Sequence, residues 1–559
     1  MPSRRRRTLA QLDSLRAVYG LGAGVRKLAV LRAMSRQSLS TAAELTLFHE
    51  LLCFWRAYPD SRALLRVVEG WMRAFRSRPD LRRLRNGLQN SGIAGTDIIY
   101  PFGALTARWL DQHWSDRLTI DWHSVEQQPR LERAVLLWVL PAEVPGLDET
   151  PLPLRRWIDH LRGPHASGGG FSVKRAASVS ANPIVREHLF DDLNLPFRLA
   201  AGPGTPSRTL ARFGASPVVF QRTALRTRRP DLREEARRPP KSIRPVTRRD
   251  AERLISLARE SMVTRQRDLD AFAWADARDV RMVHCGEGLQ FACIGVVPER
   301  RFLLESVYGF LTLKNGVPIG YALTSALFQS SEIAYNVFET FRAGEAAHVY
   351  GRLLATTRAL FGSDTFVIYP YQLGDHNDEG LESGAWWFYA KLGFRPRARA
   401  ILPVVRRELA RVTQAPAYRT PFRTLKQLVR HHLYLSLDRR RSDVIGRLRF
   451  DRIGLAVTGY VTARFGTDRE RAAKVCADEA AAQLGVDHWR KLGRGERIAW
   501  EHWAPLVAVL PGVARWTSGE RQDLAEVIRA KGDRRESEFV PLFDRHERLR
   551  EAVLALTRR

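Results

Sequence analysis

Two neighbouring stretches hold the residue types that could move a proton. The first is the polar loop Tyr371-Gln-Leu-Gly-Asp375-His376-Asn-Asp-Glu379, where the His376 imidazole could take up a proton near neutral pH. It opens directly into Glu382-Ser-Gly-Ala385-Trp-Trp-Phe-Tyr389-Ala-Lys-Leu-Gly393-Phe394-Arg-Pro396, a short aromatic helix that ends in a Lys-Leu-Gly-Phe turn and runs into a new strand. Glu339, late in an upstream strand, is a second candidate base beside His376.

The elements that must position these groups follow from hydrophobic spacing. Ile243–Thr247 predicts a short strand, and Thr247 can cap a helix over Asp250–Glu260 with Leu254, Ile255 and Leu257 facing inward. An irregular region is expected up to Glu305. Strands over Tyr308–Leu313 and Ile319–Phe328 flank Lys314-Asn315-Gly316-Val317, and Asn-Gly is the strongest short hairpin signal. A strand over Glu332–Phe341, a helix over Glu345–Phe361 ending at Gly362, a strand over Thr365–Tyr369, the Glu382–Leu392 helix and a last strand over Arg399–Val405 complete the series.

This element order, with Ala385, Tyr389, Gly393 and Phe394 at their spacing, resembles the GCN5-related N-acetyltransferase superfamily over roughly residues 243–405. The resemblance implies an acetyl-CoA co-substrate. It implies that the backbone of the Glu332–Phe341 strand, at Phe338 and Thr340, binds the pantetheine arm. The loop Phe341-Arg342-Ala343-Gly344-Glu345-Ala346-Ala347 would receive the pyrophosphate at a helix start, where unpaired N–H groups and the helix dipole favour an anion. Arg342 and Ala347 match the first and last positions of the family loop, Glu345 stands where a glycine is usual, and Gly344 supplies backbone freedom one residue earlier. Arg342, with Arg352 a further turn along, would offset the phosphate charge. Ala385 and Tyr389 fall on the closing motif, Tyr389 as the phenol that protonates the departing sulfur. Glu382 stands where the family often has Asn, so that contact is not carried over.

The 559 residues suggest three or so domains, and 45% hydrophobic content with 14 Trp is ample for packed cores. The expected architecture is multidomain α and α/β. A mainly helical region over 1–240 ends in the linker Arg222–Lys241, where arginines run into Pro239-Pro240. An acetyltransferase-like mixed-sheet domain covers 241–407, and a helical region covers 408–559. Leu45, Phe48, Leu51, Leu52 and Trp55 recur at helical spacing, as do Leu64, Leu65, Val68 and Trp71. From Pro141 to Pro240 the pattern breaks, and Gly168-Gly169-Gly170 reads as a flexible turn rather than a phosphate cradle, because no P-loop Lys follows.

The four cysteines form no C-x-x-C pair, and no metal site is expected. No apolar run is long enough to span a membrane. The basic start from Met1 to Arg7 lacks the apolar stretch of a secretory signal, so a soluble cytoplasmic protein is expected. The net charge of +30 favours polyanions and makes nucleic acid a possible partner.

An acyl-CoA-dependent N-acyltransferase, acetyl by default, leads this reading. Its acceptor amine, on a protein or a small molecule, is left open. The altered loop and the charge keep a non-catalytic acetyltransferase-like module in a basic scaffold or nucleic-acid-binding protein as the alternative. An aminoacyl-tRNA-dependent transferase, a use to which related folds are put, stands third.

Overall fold

The computed structural model describes residues 4–34, 37–214, 217–342, 344–415 and 417–558, with the side chains of Arg4 and Arg5 left aside. Residues 1–3 of the basic start and Ala343 of the loop before the Ala346–Phe361 helix lie outside the described residues. The chain divides into two compact units. One is Met1–Leu225 with Arg253–Trp274 and Lys314–Pro318; the other is Arg226–Glu252, Ala275–Leu313 and Ile319–Arg559.

The first unit is mainly helical. Thr41 caps the Ala42–Ala57 helix through the Glu44 N–H, and Leu45, Phe48, Leu51, Leu52 and Trp55 are buried along it. A small antiparallel sheet, with β1 (Ile98–Tyr100), β2 (Leu118–Ile120) and β3 (Phe197–Leu199) in the order β1-β3-β2, closes a core that includes Phe102, Leu110, Val135, Ile158 and Phe197. Gly168-Gly169-Gly170 is not a flexible turn. It opens the Gly168–Ser178 helix, capped by Ser167, and a Cβ on Gly169 would meet the Leu118 carbonyl oxygen at 2.8 Å. The glycines let the helix lie directly on β2.

The second unit holds a nine-stranded mixed sheet. Its strands are β4 (Ser242–Pro245), β5 (Ala275–Gly286), β6 (Leu289–Val296), β7 (Ser306–Lys314), β8 (Val317–Leu327), β9 (Ser330–Val337), β10 (Thr365–Ile368), β11 (Arg395–Pro396) and β12 (Leu433–Ser436). They lie in the order β11-β12-β10-β9-β8-β7-β6-β5-β4. Asn315 and Gly316 between β7 and β8 both have positive φ, 51° and 78°, as the expected hairpin turn requires.

Four expectations are corrected. The region before Glu305 is not irregular, since β5 and β6 form a paired ladder there. Arg399–Val405 is not a strand but the start of the Leu402–Gln414 helix, and the sheet is completed instead by β12. The Glu332–Phe341 strand begins earlier and ends at Val337. Glu339–Phe341 is a 3-10 turn, entered after the Phe338 N–H bonds the Ile319 carbonyl at 3.0 Å. The Glu382–Leu392 helix is two short ones, Asp378–Glu382 and Ala385–Lys391, broken at Gly384 with φ 70°.

The stretch Arg222–Lys241 is more than a linker. It carries the Leu232–Arg237 helix, whose Leu232, Glu235 and Ala236 are buried. Glu235 pairs with the buried Arg352 at 3.0 Å, and Gly351 leaves room for it.

The C-terminal helices belong to the same unit as the sheet, whereas the expected boundary at 407/408 separates them. Lys531 reaches Glu536 at 2.6 Å and the Glu305 carbonyl at 2.8 Å, while Arg301 donates to the Lys531 carbonyl at 2.7 Å and the Asp533 carbonyl at 2.6 Å. Buried charges that satisfy one another in this way fix where the helices rest on the sheet.

Candidate active site

β9 and β10 are parallel neighbours, yet they pair over only three residues, Thr365–Val367 opposite Ser330–Glu332. β9 then runs on to Val337, still paired with β8 on its other side. The backbone of Ile333–Val337 that faces away from β8 thus has no ladder partner in β10, and such groups need partners of another kind.

Side chains alternate along a strand, so Tyr335 and Glu332 point to opposite faces. On the Tyr335 face stand the Ala346–Phe361 and Ala385–Lys391 helices. The rings of Tyr335, Tyr350, Phe388 and Tyr389 form one cluster, with centroids 5.2 Å apart for Tyr335–Tyr350 and 5.5 Å for Tyr350–Tyr389. Tyr389 is 3% exposed, burial raises its phenol above the ordinary range, and the Tyr335 backbone hydrogen-bonds to its hydroxyl. It therefore keeps its proton at any ordinary pH. The Tyr350 hydroxyl is fully buried and has no hydrogen-bond partner. An orphaned hydroxyl in such a place costs about 1–3 kcal/mol, a cost that a polar ligand atom would offset.

On the other face, sequence reasoning missed a pair of carboxylates. Glu332 sits opposite Ser325 of β8, and the Ser325 hydroxyl donates to Glu305 at 3.2 Å. Burial, with the Glu305 charge added, pushes Glu332 up to about 7; burial also raises Glu305. A carboxylate of that affinity can accept a proton near neutral pH. The signal available in the sequence was a lone acid inside a strand, which no motif marks. Val367 pairs with both Glu332 and Tyr434, placing Tyr434 on this face, and the Tyr434 hydroxyl donates to the Gly446 carbonyl at 3.0 Å.

The remaining predicted positions are spread around the start of the Ala346–Phe361 helix. Phe338 and Thr340 are buried, in the turn after β9 rather than in the strand. Arg342, half-exposed, lies 3.5 Å from Glu379, so the two loops flanking the helix and β10 do meet. Gly344, Ala346 and Ala347 are partly exposed at the helix start, and Ala385 is partly exposed as the first residue of its helix. Glu339 and His376 are exposed, His376 with φ 53° in its loop.

Glu345 is only 3% exposed and accepts the Arg226 N–H at 3.1 Å. The helix start therefore already holds a carboxylate of its own. Arg352, paired with Glu235 and bonded to the Arg238 and Pro239 carbonyls, faces away from any phosphate role.

Thiol chemistry gains no support. Cys53 lies 3.7 Å from the buried His49, but burial pushes its thiol up to about 12 and holds the imidazole well below its ordinary range. Such a neutral pair is inert. Among the described residues no group of three or more His, Cys, Asp or Glu could hold a metal ion, and no helix is long and apolar enough to cross a membrane.

No family model, no curated protein and no solved structure matches this chain.

Proposed function

We propose that the second unit is an acyl-CoA-dependent N-acyltransferase, acetyl-CoA being the default donor, that acts on an amine. The observation that carries this reading is the short β9/β10 pairing, which stops at Glu332 and Val367, with a protonated phenol on one face and a carboxylate of near-neutral affinity on the other. Acyl transfer needs both. The amine must lose a proton as its nitrogen attacks the thioester carbonyl, and the sulfur must gain one as the C–S bond breaks. Glu332 is the acceptor of the first proton and Tyr389 the donor of the second. Glu332 replaces Glu339 and His376 as the base, because its carboxylate is partly buried and poised near 7 while those two are exposed.

Fit to the donor differs along its length. The backbone of β9 beyond Glu332, where β10 no longer pairs with it, and the orphaned Tyr350 hydroxyl suit the amides and thioester of a pantetheine arm. At the phosphate end, the partly exposed N–H groups of Ala346 and Ala347 and the Arg342 side chain suit an anion, while Glu345 repels one.

A second reading rests on that last residue. With Glu345 holding the helix start through Arg226, the unit serves as a non-catalytic module of a basic scaffold that binds nucleic acid. The test is to mix protein freed of nucleic acid with acetyl-CoA and a panel of amines and follow free thiol. Thiol release that depends on an amine and falls with Tyr389→Phe supports the first reading. Absence of acetyl-CoA binding, together with RNA or DNA binding that weakens steeply with salt, would replace it with the second.

A further inference from the structure

The first unit holds a cavity of about 490 Å3 between the Gln128–Trp138, Gly168–Ser178 and Pro183–Asp191 helices. That is the size of pockets that take small molecules, about 300–1,000 Å3. Its walls are apolar, with Trp138, Val179, Phe190 and Leu193 inside. Leu137 and Leu189, which also line it, are 66% and 49% exposed. Leucines left in water beside a cavity are explained by something that covers them.

Positive charge dominates the polar part of the lining. Arg130, Arg133 and Arg186 line the cavity, against the single carboxylate of Asp192. Arg130 and Arg186 each give one N–H to a backbone carbonyl, of Asp192 at 2.9 Å and of Val179 at 3.2 Å. The Arg186 Nε is buried and has no hydrogen-bond partner. Three guanidinium groups and a missing acceptor, set around an apolar hole, describe the complement of a molecule with an aliphatic body and an anionic head.

We infer that this cavity binds a single-chain amphiphilic anion, a long-chain carboxylate or the equivalent chain of an acidic lipid. A wholly apolar ligand would leave the arginines unanswered, and a basic peptide would be repelled by them. The inference is independent of the chemistry proposed for the second unit.

The test uses the delipidated full-length protein and the fluorescent fatty acid cis-parinaric acid. Saturable binding at one site per chain is expected, reversed by palmitate and about tenfold less well by hexadecanol, which lacks the charged head. Ala176→Trp, which fills the cavity, should abolish binding. Arg133→Gln changes an exposed side chain and should weaken palmitate about tenfold while leaving hexadecanol unchanged, with unaltered circular dichroism. Recruitment to phosphatidylglycerol vesicles that Ala176→Trp abolishes would identify a lipid chain as the source of the anion. The inference is overturned if hexadecanol competes as well as palmitate, if Ala176→Trp and wild type bind alike, or if neither the fatty acid nor the vesicles bind.

Discussion

Replacing Glu332 by Gln should make the protein more stable at alkaline pH and nearly inactive, and the two effects share one cause. Burial and the Glu305 charge raise the Glu332 carboxyl from the ordinary 4.5 to about 7. In the folded protein it stays protonated up to about 7, whereas in the unfolded chain it ionises near 4.5. The native state therefore holds one more proton across that window, and stability falls as pH climbs from about 4.5 to about 7, then levels off. The rise is worth at most about 3 kcal/mol. The side chain is only partly buried, so solvent screening trims this to about 1–2 kcal/mol. Glutamine has the same shape and no proton to lose. The expected result is equal stability of variant and wild type near pH 4.5. Near pH 8, the variant should gain about 1–2 kcal/mol in urea unfolding. In the same variant the amine-dependent release of thiol should drop by about 10²–10⁴-fold, the usual worth of a general base. Wild-type kcat/KM should rise with pH and flatten above about 7. A variant that turns over normally, or a wild type whose stability does not decline between pH 4.5 and 7 relative to the variant, refutes the assignment.

Three further outcomes follow from the same structure. Tyr389→Phe should lower kcat about 10²-fold or more while changing stability by about 1 kcal/mol, because one hydroxyl with one backbone bond is lost; rapid mixing and urea unfolding read the two. Lys531→Met leaves Glu536 buried without its partner and should destabilise the second unit by about 3–5 kcal/mol, much of it recovered in the double variant with Glu536→Gln; equal stability of Lys531→Met and wild type would count against the buried pair. Gly316→Ala places a Cβ directly against the Phe213 carbonyl oxygen at a φ of 78° and should cost at least about 1–3 kcal/mol in denaturant unfolding.

What could be read from the sequence depended on whether the cause was local. The Asn315-Gly316 turn, the Gly362 helix end and the cap at Thr247 are decided by a few adjacent residues, and all three stand where expected. β5 and β6 were missed because their core positions include Asp276, Asp279 and Gln290, buried polar residues that interrupt the apolar pattern, and the Tyr308 hydroxyl that donates to Asp279 is distant in sequence. β12 is four residues long and owes its place to pairing with β10 across several intervening helices. The site shows the same division. The short aromatic helix that carries Tyr389 was legible because its motif is contiguous. Glu332 was not, because its proton affinity is set by burial and by Glu305, 27 residues earlier in the chain.

The proposed acyl transfer requires that the second unit take an acyl-CoA donor despite the carboxylate of Glu345. Calorimetric titration of the nucleic-acid-free protein with acetyl-CoA tests it most directly. Saturable binding is expected with Kd in the range of ordinary substrate affinities, about 1 μM to 1 mM, tightened by Glu345→Gln. No heat from either protein at millimolar acetyl-CoA would contradict it.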